Sequence, residues 1–598
     1  MVIRLDEKSY EIRSNSDVIS REHHVYTILN EKGEYYATYK TRYNNKSVLI
    51  NNVTGYLYDA SGKEIMHFKK KDMQDQPFND GSSFVNDERL KVGSLYSHTY
   101  PYTVDFEEED QITELFQISD WQPQGNFNHS VQKSTYSITA PSDYALRYRM
   151  LNSSLVPVIE EKGKNKTYTW KIQNLVAYEE EPYSNILNST PHLLIGLGDV
   201  EMGGFRGNMS TWNNYAKFYG SLQKGRDILP DEIKHKVHEL TDGLSDLQAK
   251  VAVLYSYLQQ NSHYINVQLG IGGWQTFDAS YVATKKYGDC KALSNFMVSL
   301  LKEAGIKSNA VVIRGGRERM DFISDFTYDP FNHIICCVPL KKDTIWLECT
   351  SQSLPPGYLS EFTSNRYGLL IDEDGGSLVH TPSYLMGDNV QIRKVTADLD
   401  PEGNLNLLSK TMYRALCQDE VESIMHHESK EEQLNRLKTE FNLPTYDVMS
   451  FNYQEDHSKR LPVIIETLEL KVSNYAQISG KRIFIKPDIL TRSSEKLTED
   501  KDRRLNIELD EEFRHIDSAD IKIPAGYVVE SSPKDIILEN KFGKYLLKTE
   551  VKGNLIVFTR LREQFSNRFP PKEYAEVVKY YNEIYEADHT SIVLVKHE

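Results

Sequence analysis

The chain is short of cysteine, with five in 598 residues: Cys290, Cys336, Cys337, Cys349 and Cys417. A number that small and odd excludes a disulfide framework as the source of stability. No apolar run approaches the about 18 residues of a membrane span. Nothing at Met1 reads as a charged start followed by an apolar signal segment. Basic charge is scarce as well: 70 Lys and Arg stand against 86 Asp and Glu, a net charge of −16. A general nucleic-acid binder needs a basic excess to release phosphate counterions, so that class is set aside. Gly (32) and Pro (21) are too few, and hydrophobic residues at 39% too many, for a disordered or collagen-like chain. What remains is a soluble multidomain protein, with room for about three or four domains of roughly 150 residues.

Up to about residue 215 the apolar pattern has period two. Tyr35 to Tyr43 places Tyr, Ala, Tyr, Thr and Tyr on one side and Lys40 and Arg42 on the other, which predicts a half-buried strand. Tyr56 to Tyr58 and Lys63 to Ile65 read as strands joined by a turn, and Tyr168, Trp170 and Ile172 alternate likewise. An antiparallel, sandwich-like β-rich domain is expected over residues 1–220. The period changes near Pro230. Ser245 and Gln248 predict a capping box, with Leu247, Val251, Leu254 and Leu258 at helical spacing behind it. A second helix is expected from Asp289, with Leu293, Phe296, Met297, Leu300 and Leu301 on one face and Gly305 at its end. Strands Phe331 to Val338 and Thr344 to Thr350 follow, so residues 221–387 read as an α+β domain. Period two then returns over 388–598, with a strand at Val463 to Val472, a hairpin from Lys544 to Arg560 and a helix from Lys572 to Glu586. No sequence repeat links the two β-rich ends.

Four of the five cysteines fall within 60 residues of the middle domain. Cys290 lies in the first turn of its predicted helix, where unpaired backbone N–H groups and the positive end of the dipole favour a thiolate. A lone cysteine is otherwise a small buried hydrophobe, so a base within reach decides between the two readings. If the turn at Leu340 to Asp343 has an even number of residues, His333 and Glu348 project from one face of the paired strands, opposite or diagonal. A carboxylate there fixes the imidazole tautomer and raises its basicity, leaving the other ring nitrogen for a thiol. Zinc accounts for the cluster less well. Cys337 shares the face of His333 but Cys336 does not, and no C-x-x-C or H-x₃₋₅-H spacing occurs. Neither metal nor cofactor is expected. Gly270-Ile271-Gly272-Gly273 lacks the Lys and Ser/Thr of a phosphate loop and reads as a tight turn. His426-His427 reads as solvated in a charged helix.

Together, Tyr287-Gly288-Asp289-Cys290-Lys291-Ala292-Leu293, Phe331-Asn332-His333 and Trp346-Leu347-Glu348-Cys349-Thr350-Ser351 resemble the transglutaminase-like superfamily. These are papain-like cysteine folds with Cys, His and Asp in that order. The layout resembles the three-domain bacterial branch, in which a β-rich domain of unknown function precedes the core and another β-rich domain follows. The resemblance implies a papain-like α+β core flanked by two antiparallel β-rich domains. It implies Cys290 as nucleophile, His333 as base, Glu348 as orienting carboxylate and Gln275 as an oxyanion-hole donor. The implied activity is on amide bonds of a peptide or protein substrate, through a thioester at Cys290, with hydrolysis favoured over amine transfer. The implied location is periplasmic or exported, with the export signal removed. Glu348 departs from the superfamily's usual Asp by one methylene. The competing reading is a binding or scaffold protein whose β-rich domains hold peptide or glycan over an inactive core.

Overall fold

The computed structural model describes residues 1–44, 46–78, 83–86, 88–268, 270–494 and 496–597. The chain divides into two compact units: Met1–Glu180, Ile186–Leu359 and Arg366–Thr381 form the first, and Glu181–Asn185, Ser360–Asn365 and Pro382–Glu598 the second.

In the first unit, alternating burial builds an eight-stranded sheet. Its strands are β1 (Val2–Ser14), β2 (Asp17–Ile28), β3 (Val48–Tyr58), β4 (Glu64–Lys69), β5 (Tyr102–Ile112), β6 (Ser130–Pro141), β7 (Val158–Lys162) and β8 (Asn165–Leu175). They lie in the order β7-β8-β6-β1-β2-β5-β3-β4. All neighbours are antiparallel except β1 and β6. In β6, Ser134, Tyr136, Ile138 and Ala140 are buried and the residues between them are not. The strand expected over Tyr35 to Tyr43 is only partly formed. A 3₁₀ helix takes Glu31–Ala37 and the strand covers Thr38–Tyr43. The Asn30 side chain accepts from Lys32 N–H, and Glu31 and Glu34 suit the positive end of that turn, so local capping overrides the alternation.

Helices follow: α1 (Trp212–Gln223), α2 (Asp231–Thr241), α3 (Leu247–Asn261), α4 (Ala279–Lys285) and α5 (Cys290–Glu303). The expected boundary at residue 220 falls inside α1, which buries Tyr215, Ala216, Phe218, Tyr219 and Leu222. Asp246, not Ser245, caps α3, accepting from Ala249 N–H at 2.8 Å. A carboxylate next to a hydroxyl wins this position because it also answers the dipole. Beyond α5, Gly305 takes φ +72°, and a five-stranded antiparallel sheet begins. It contains β9 (Asn309–Ile313), β10 (His333–Pro339), β11 (Thr344–Leu347), β12 (Tyr367–Asp372) and β13 (Gly375–His380), in the order β11-β10-β9-β12-β13. Helices α3 to α5 bury Leu254, Val282, Phe296, Met297 and Leu300 with Cys336, Val338 and Leu347. Val311, Ile313, Ile335, Cys337 and Trp346, which alternate with those strand residues, form a smaller cluster on the opposite face.

The second unit carries another eight-stranded sheet. Its strands are β14 (Val390–Leu399), β15 (Leu405–Arg414), β16 (Tyr446–Asp456), β17 (Val463–Val472), β18 (Phe513–Lys522), β19 (Ile536–Asn540), β20 (Gly543–Lys552) and β21 (Leu555–Gln564). The order is β16-β17-β15-β14-β18-β21-β20-β19, antiparallel except for β14 and β18. Helix α6 (Tyr574–Asp588) buries Val577, Val578 and Ile584 against it. The two large sheets wind alike. In each, the first strand of an opening hairpin (β1-β2, β14-β15) lies beside a later parallel strand (β6, β18), which then pairs with a strand from the end of the run (β8, β21). Among the described residues, no helix is long and apolar enough to cross a membrane.

Candidate active site

Helix α5 opens on a buried ion pair. Asp289 Oδ1 accepts the Ala292 N–H at 2.9 Å and caps the helix, while Oδ2 lies 2.6 Å from Lys291 Nζ. Both residues are buried, so each charge depends on the other. Between them, Cys290 occupies the first helical position and is half-buried. Gly288 precedes the cap where a Cβ would stand 2.7 Å from the Cβ of Ala292, so only glycine lets the chain enter α5 at this angle.

His333 is the first residue of β10. Its neighbour Asn332 fixes that strand end, accepting from Gly315 N–H at 2.6 Å and donating to Gly315 C=O at 3.0 Å. Ser294 of α5 donates to the Ile334 carbonyl at 3.2 Å and ties the cysteine's helix to the histidine's strand. Pro339 pairs with Thr344, so the turn between β10 and β11 has four residues, closed by a Leu340 N–H to Asp343 C=O bond of 2.8 Å. Continuing this register sets Glu348 across from Ile335, one diagonal step from His333 on the same face.

The carboxylate of Glu348 reaches His333 Nε2 at 3.0 and 3.1 Å. With Nε2 occupied, Nδ1 is the nitrogen left for Cys290, whose thiol is in hydrogen-bonding contact with the imidazole. Burial alone would lower the His333 pKa. The Glu348 charge, followed by the hydrogen bonds of Cys290 and Glu348, outweighs it and raises the imidazole from 6.5 to about 10. Burial pushes Glu348 upward, and the His333 charge with bonds from His333 and Thr350 brings it below its ordinary value. His333 and Glu348 therefore stand as a coupled pair beside Cys290.

Two residues that sequence reasoning passed over hold Glu348. Thr350 Oγ1 donates to Oε1 at 2.6 Å, and Tyr255 of α3 donates to the Glu348 carbonyl at 2.8 Å. Thr350 was visible as a hydroxyl two residues beyond the carboxylate. Tyr255 carried no signal beyond its place on a buried helix face. Gln275 is used differently from the expected oxyanion donor. Its Nε2 donates to the Leu222 carbonyl at 2.9 Å and its Oε1 accepts from Arg226 at 2.8 Å, which braces α1 and leaves the amide without a bond to Cys290.

Cys336, Cys337 and Cys349 lie in apolar clusters, and half-buried Cys417 stands 4.0 Å from His515 Nε2. Cys336 is pushed well up by its hydrogen bond with Cys349 and by burial, and burial raises Cys337 and Cys417 to about 12. Among the described residues, no group of three or more His, Cys, Asp or Glu side chains is set to hold a metal ion.

The segment that carries these residues has a match among known families. Residues 234–349 match the model of the transglutaminase-like superfamily. Those residues form a transglutaminase-like core. On either side of the transglutaminase-like core, residues 14–179 match DUF3857 and residues 481–594 match DUF3858, both described as domains of unknown function. Among solved structures, the chain is similar to a "putative protease" from Parabacteroides distasonis, at 14% identity and a TM-score of 0.64, with 99% of each chain covered. A "putative cysteine protease" from Cytophaga hutchinsonii also matches, at 10% identity and a TM-score of 0.17, over 62% of this chain and 88% of the other. The first likeness shows the fold. No curated protein sequence matches the chain.

Proposed function

We propose that the transglutaminase-like core is a cysteine hydrolase of peptide or protein amide bonds. The observation that carries this reading is the His333 imidazole, gripped at Nε2 by Glu348 and hydrogen-bonded with Cys290. In the reading, the Cys290 proton passes to His333 and the sulfur attacks the substrate carbonyl. Glu348 keeps the resulting imidazolium oriented. The carbonyl oxygen becomes an oxyanion. Backbone N–H groups of the first turn of α5 are the donors at hand, since Asp289 takes only that of Ala292. His333 then gives its proton to the leaving amine, which departs and leaves a thioester on Cys290. Water, deprotonated by His333, releases the acid and restores the thiol. An amine in place of water would make the same thioester a cross-linking intermediate; the superfamily resemblance favours water.

Cys290→Ala tests the reading. Hydrolysis of a fluorogenic peptide mixture by the full chain is expected to vanish in this variant, with the unfolding midpoint unchanged. Activity at the wild-type rate in Cys290→Ala would remove the mechanism. Incorporation of a labelled amine in preference to hydrolysis would turn the assignment to transamidation.

A further inference from the structure

The large sheet of the second unit ends on an open edge. β19 is the last strand in its order, and among the described residues no further strand pairs with it. The register shows which backbone groups are free. Asn540 faces Gly543 across a two-residue turn, Lys541-Phe542, so these two form a hydrogen-bonded pair. Pairs alternate along an antiparallel ladder. Leu538 and Ile536 therefore bond to Tyr545 and Leu547, whereas Ile537 and Glu539 turn their N–H and C=O groups away from β20. Side chains alternate as well. Ile536 and Leu538 pack on the core, and Ile537 is 65% exposed between the exposed Asp535 and Glu539.

An open groove of about 480 Å³ lies between this strand and the last turns of α6. Ile536, Leu538, Asn582, Glu583, Ala587 and Thr590 line it, and its accessible wall is almost wholly apolar. A free ladder edge and an apolar groove beside it are answered together by one added strand. Its backbone bonds to Ile537 and Glu539, and its alternate side chains enter the groove beside Ile536 and Leu538. Charge decides which strand. A second copy of β19 in two-fold register about Ile537 sets Asp535 against Glu539 twice, and like charges directly opposite are destabilising. Basic residues at those two places are favoured instead, although Lys544 already stands 3.1 Å from Glu539. We propose that the groove between β19 and α6 binds an extended peptide segment of another protein, added to β19 with a basic, an apolar and a basic residue opposite Glu539, Ile537 and Asp535, and with apolar residues between them in the groove. This site is independent of the reading of Cys290.

The probe is a fluorescein-labelled peptide with the core Lys-Leu-Val-Leu-Lys. Binding is read by fluorescence anisotropy with the full chain carrying Cys290→Ala, so that cleavage plays no part. Saturable binding is expected, weakened about tenfold or more when aspartate replaces both lysines of the peptide. Ile537→Pro removes one outward N–H without breaking a bond to β20, as an edge strand allows, and is expected to weaken binding about tenfold. Glu583→Lys reverses an exposed charge at the groove rim and leaves the ladder untouched, so it decides the matter if the proline variant fails to fold. A loss of about threefold or more is expected there. Absence of saturable binding, equal binding of the two peptides, or unchanged affinity in Glu583→Lys or in folded Ile537→Pro would overturn the proposal. Sedimentation velocity without peptide checks the rival occupant. A dimer of the full chain that Ile537→Pro dissolves would assign the edge to a second copy and overturn the proposal as well.

Discussion

Glu348 stands where the superfamily resemblance implies Asp, and the geometry lets the longer side chain reach His333. The residue stands one diagonal step from His333, and the extra methylene spans that step to give contacts of 3.0 and 3.1 Å. Aspartate would retract the carboxylate by about one C–C bond, or ~1.5 Å, along an axis the strand register holds fixed. Glu348→Asp is therefore expected to be nearly as damaging as Glu348→Gln, each lowering kcat/KM on the order of 10- to 1000-fold. The pH profile distinguishes charge from shape. His333 is held near 10 against its own burial, chiefly by the Glu348 charge, so the alkaline limb of kcat/KM in the wild type is expected near pH 10. In Glu348→Gln burial prevails, and that limb moves below neutrality. The stability of the pair follows the same signs. The raised His333 contributes fully below about pH 6.5 and loses its contribution as pH rises through about 10; the lowered Glu348 contributes above about pH 4.5 and fails in acid. An alkaline limb unmoved in Glu348→Gln would show that another group sets the imidazole. The meeting of Cys290, His333 and Glu348 was legible because helix start, strand parity and turn length are local properties of sequence. Gln275 was not, because a loop amide is free to bond whichever carbonyl the fold brings near, here that of Leu222.

At the scale of elements, α5 depends on what precedes it. Gly288→Ala sets a methyl 2.7 Å from the Ala292 Cβ and 3.3 Å from a Val282 methyl. Neither neighbour is the end of a flexible side chain, so the helix start must move. A cost of about 1–3 kcal/mol is expected from overpacking, read as a lower unfolding midpoint. Loss of activity should exceed what the unfolded fraction explains, since the displaced residue is two positions from Cys290. Wild-type activity per folded molecule in Gly288→Ala would show that the α5 entry is loose. Helix α5 itself was legible to within a residue from its cap and apolar face, as was the strand Val463–Val472. Helix α1 was not, because Trp212, Tyr215, Phe218 and Tyr219 continue an aromatic-rich stretch that also suits strands, and only packing decides between the two. The likeness in winding of the two eight-stranded sheets left no trace in sequence either, since a sheet's order is set by which strands meet, not by their residues.

At the scale of the whole molecule, the second unit is organised around a charge rather than an apolar seam alone. Arg560 of β21 is 2% exposed and donates to Asp588 of α6 at 2.8 and 3.1 Å and to Asp517 of β18 at 3.1 Å, with Asp488 3.5 Å away. Strand and helix are thereby joined across the core, where pairs of this kind favour one packing over others. Burial raises Asp488 to about 6 even with the arginine present. Arg560→Met keeps much of the volume but leaves three buried carboxylates without their cation. A loss of about 3–5 kcal/mol is expected. The sign of its pH dependence is fixed by the acids: unpaired, they take up protons in the folded state and release them on unfolding, so the deficit widens as pH rises from about 5 to about 8. Denaturant titration at those two pH values reads the effect. Because the two units are separately compact, alkylation of Cys290 below the unfolding transition should match the wild type. A deficit independent of pH would mean that the three aspartates find other partners, and that the arginine's role in the second unit is filling space.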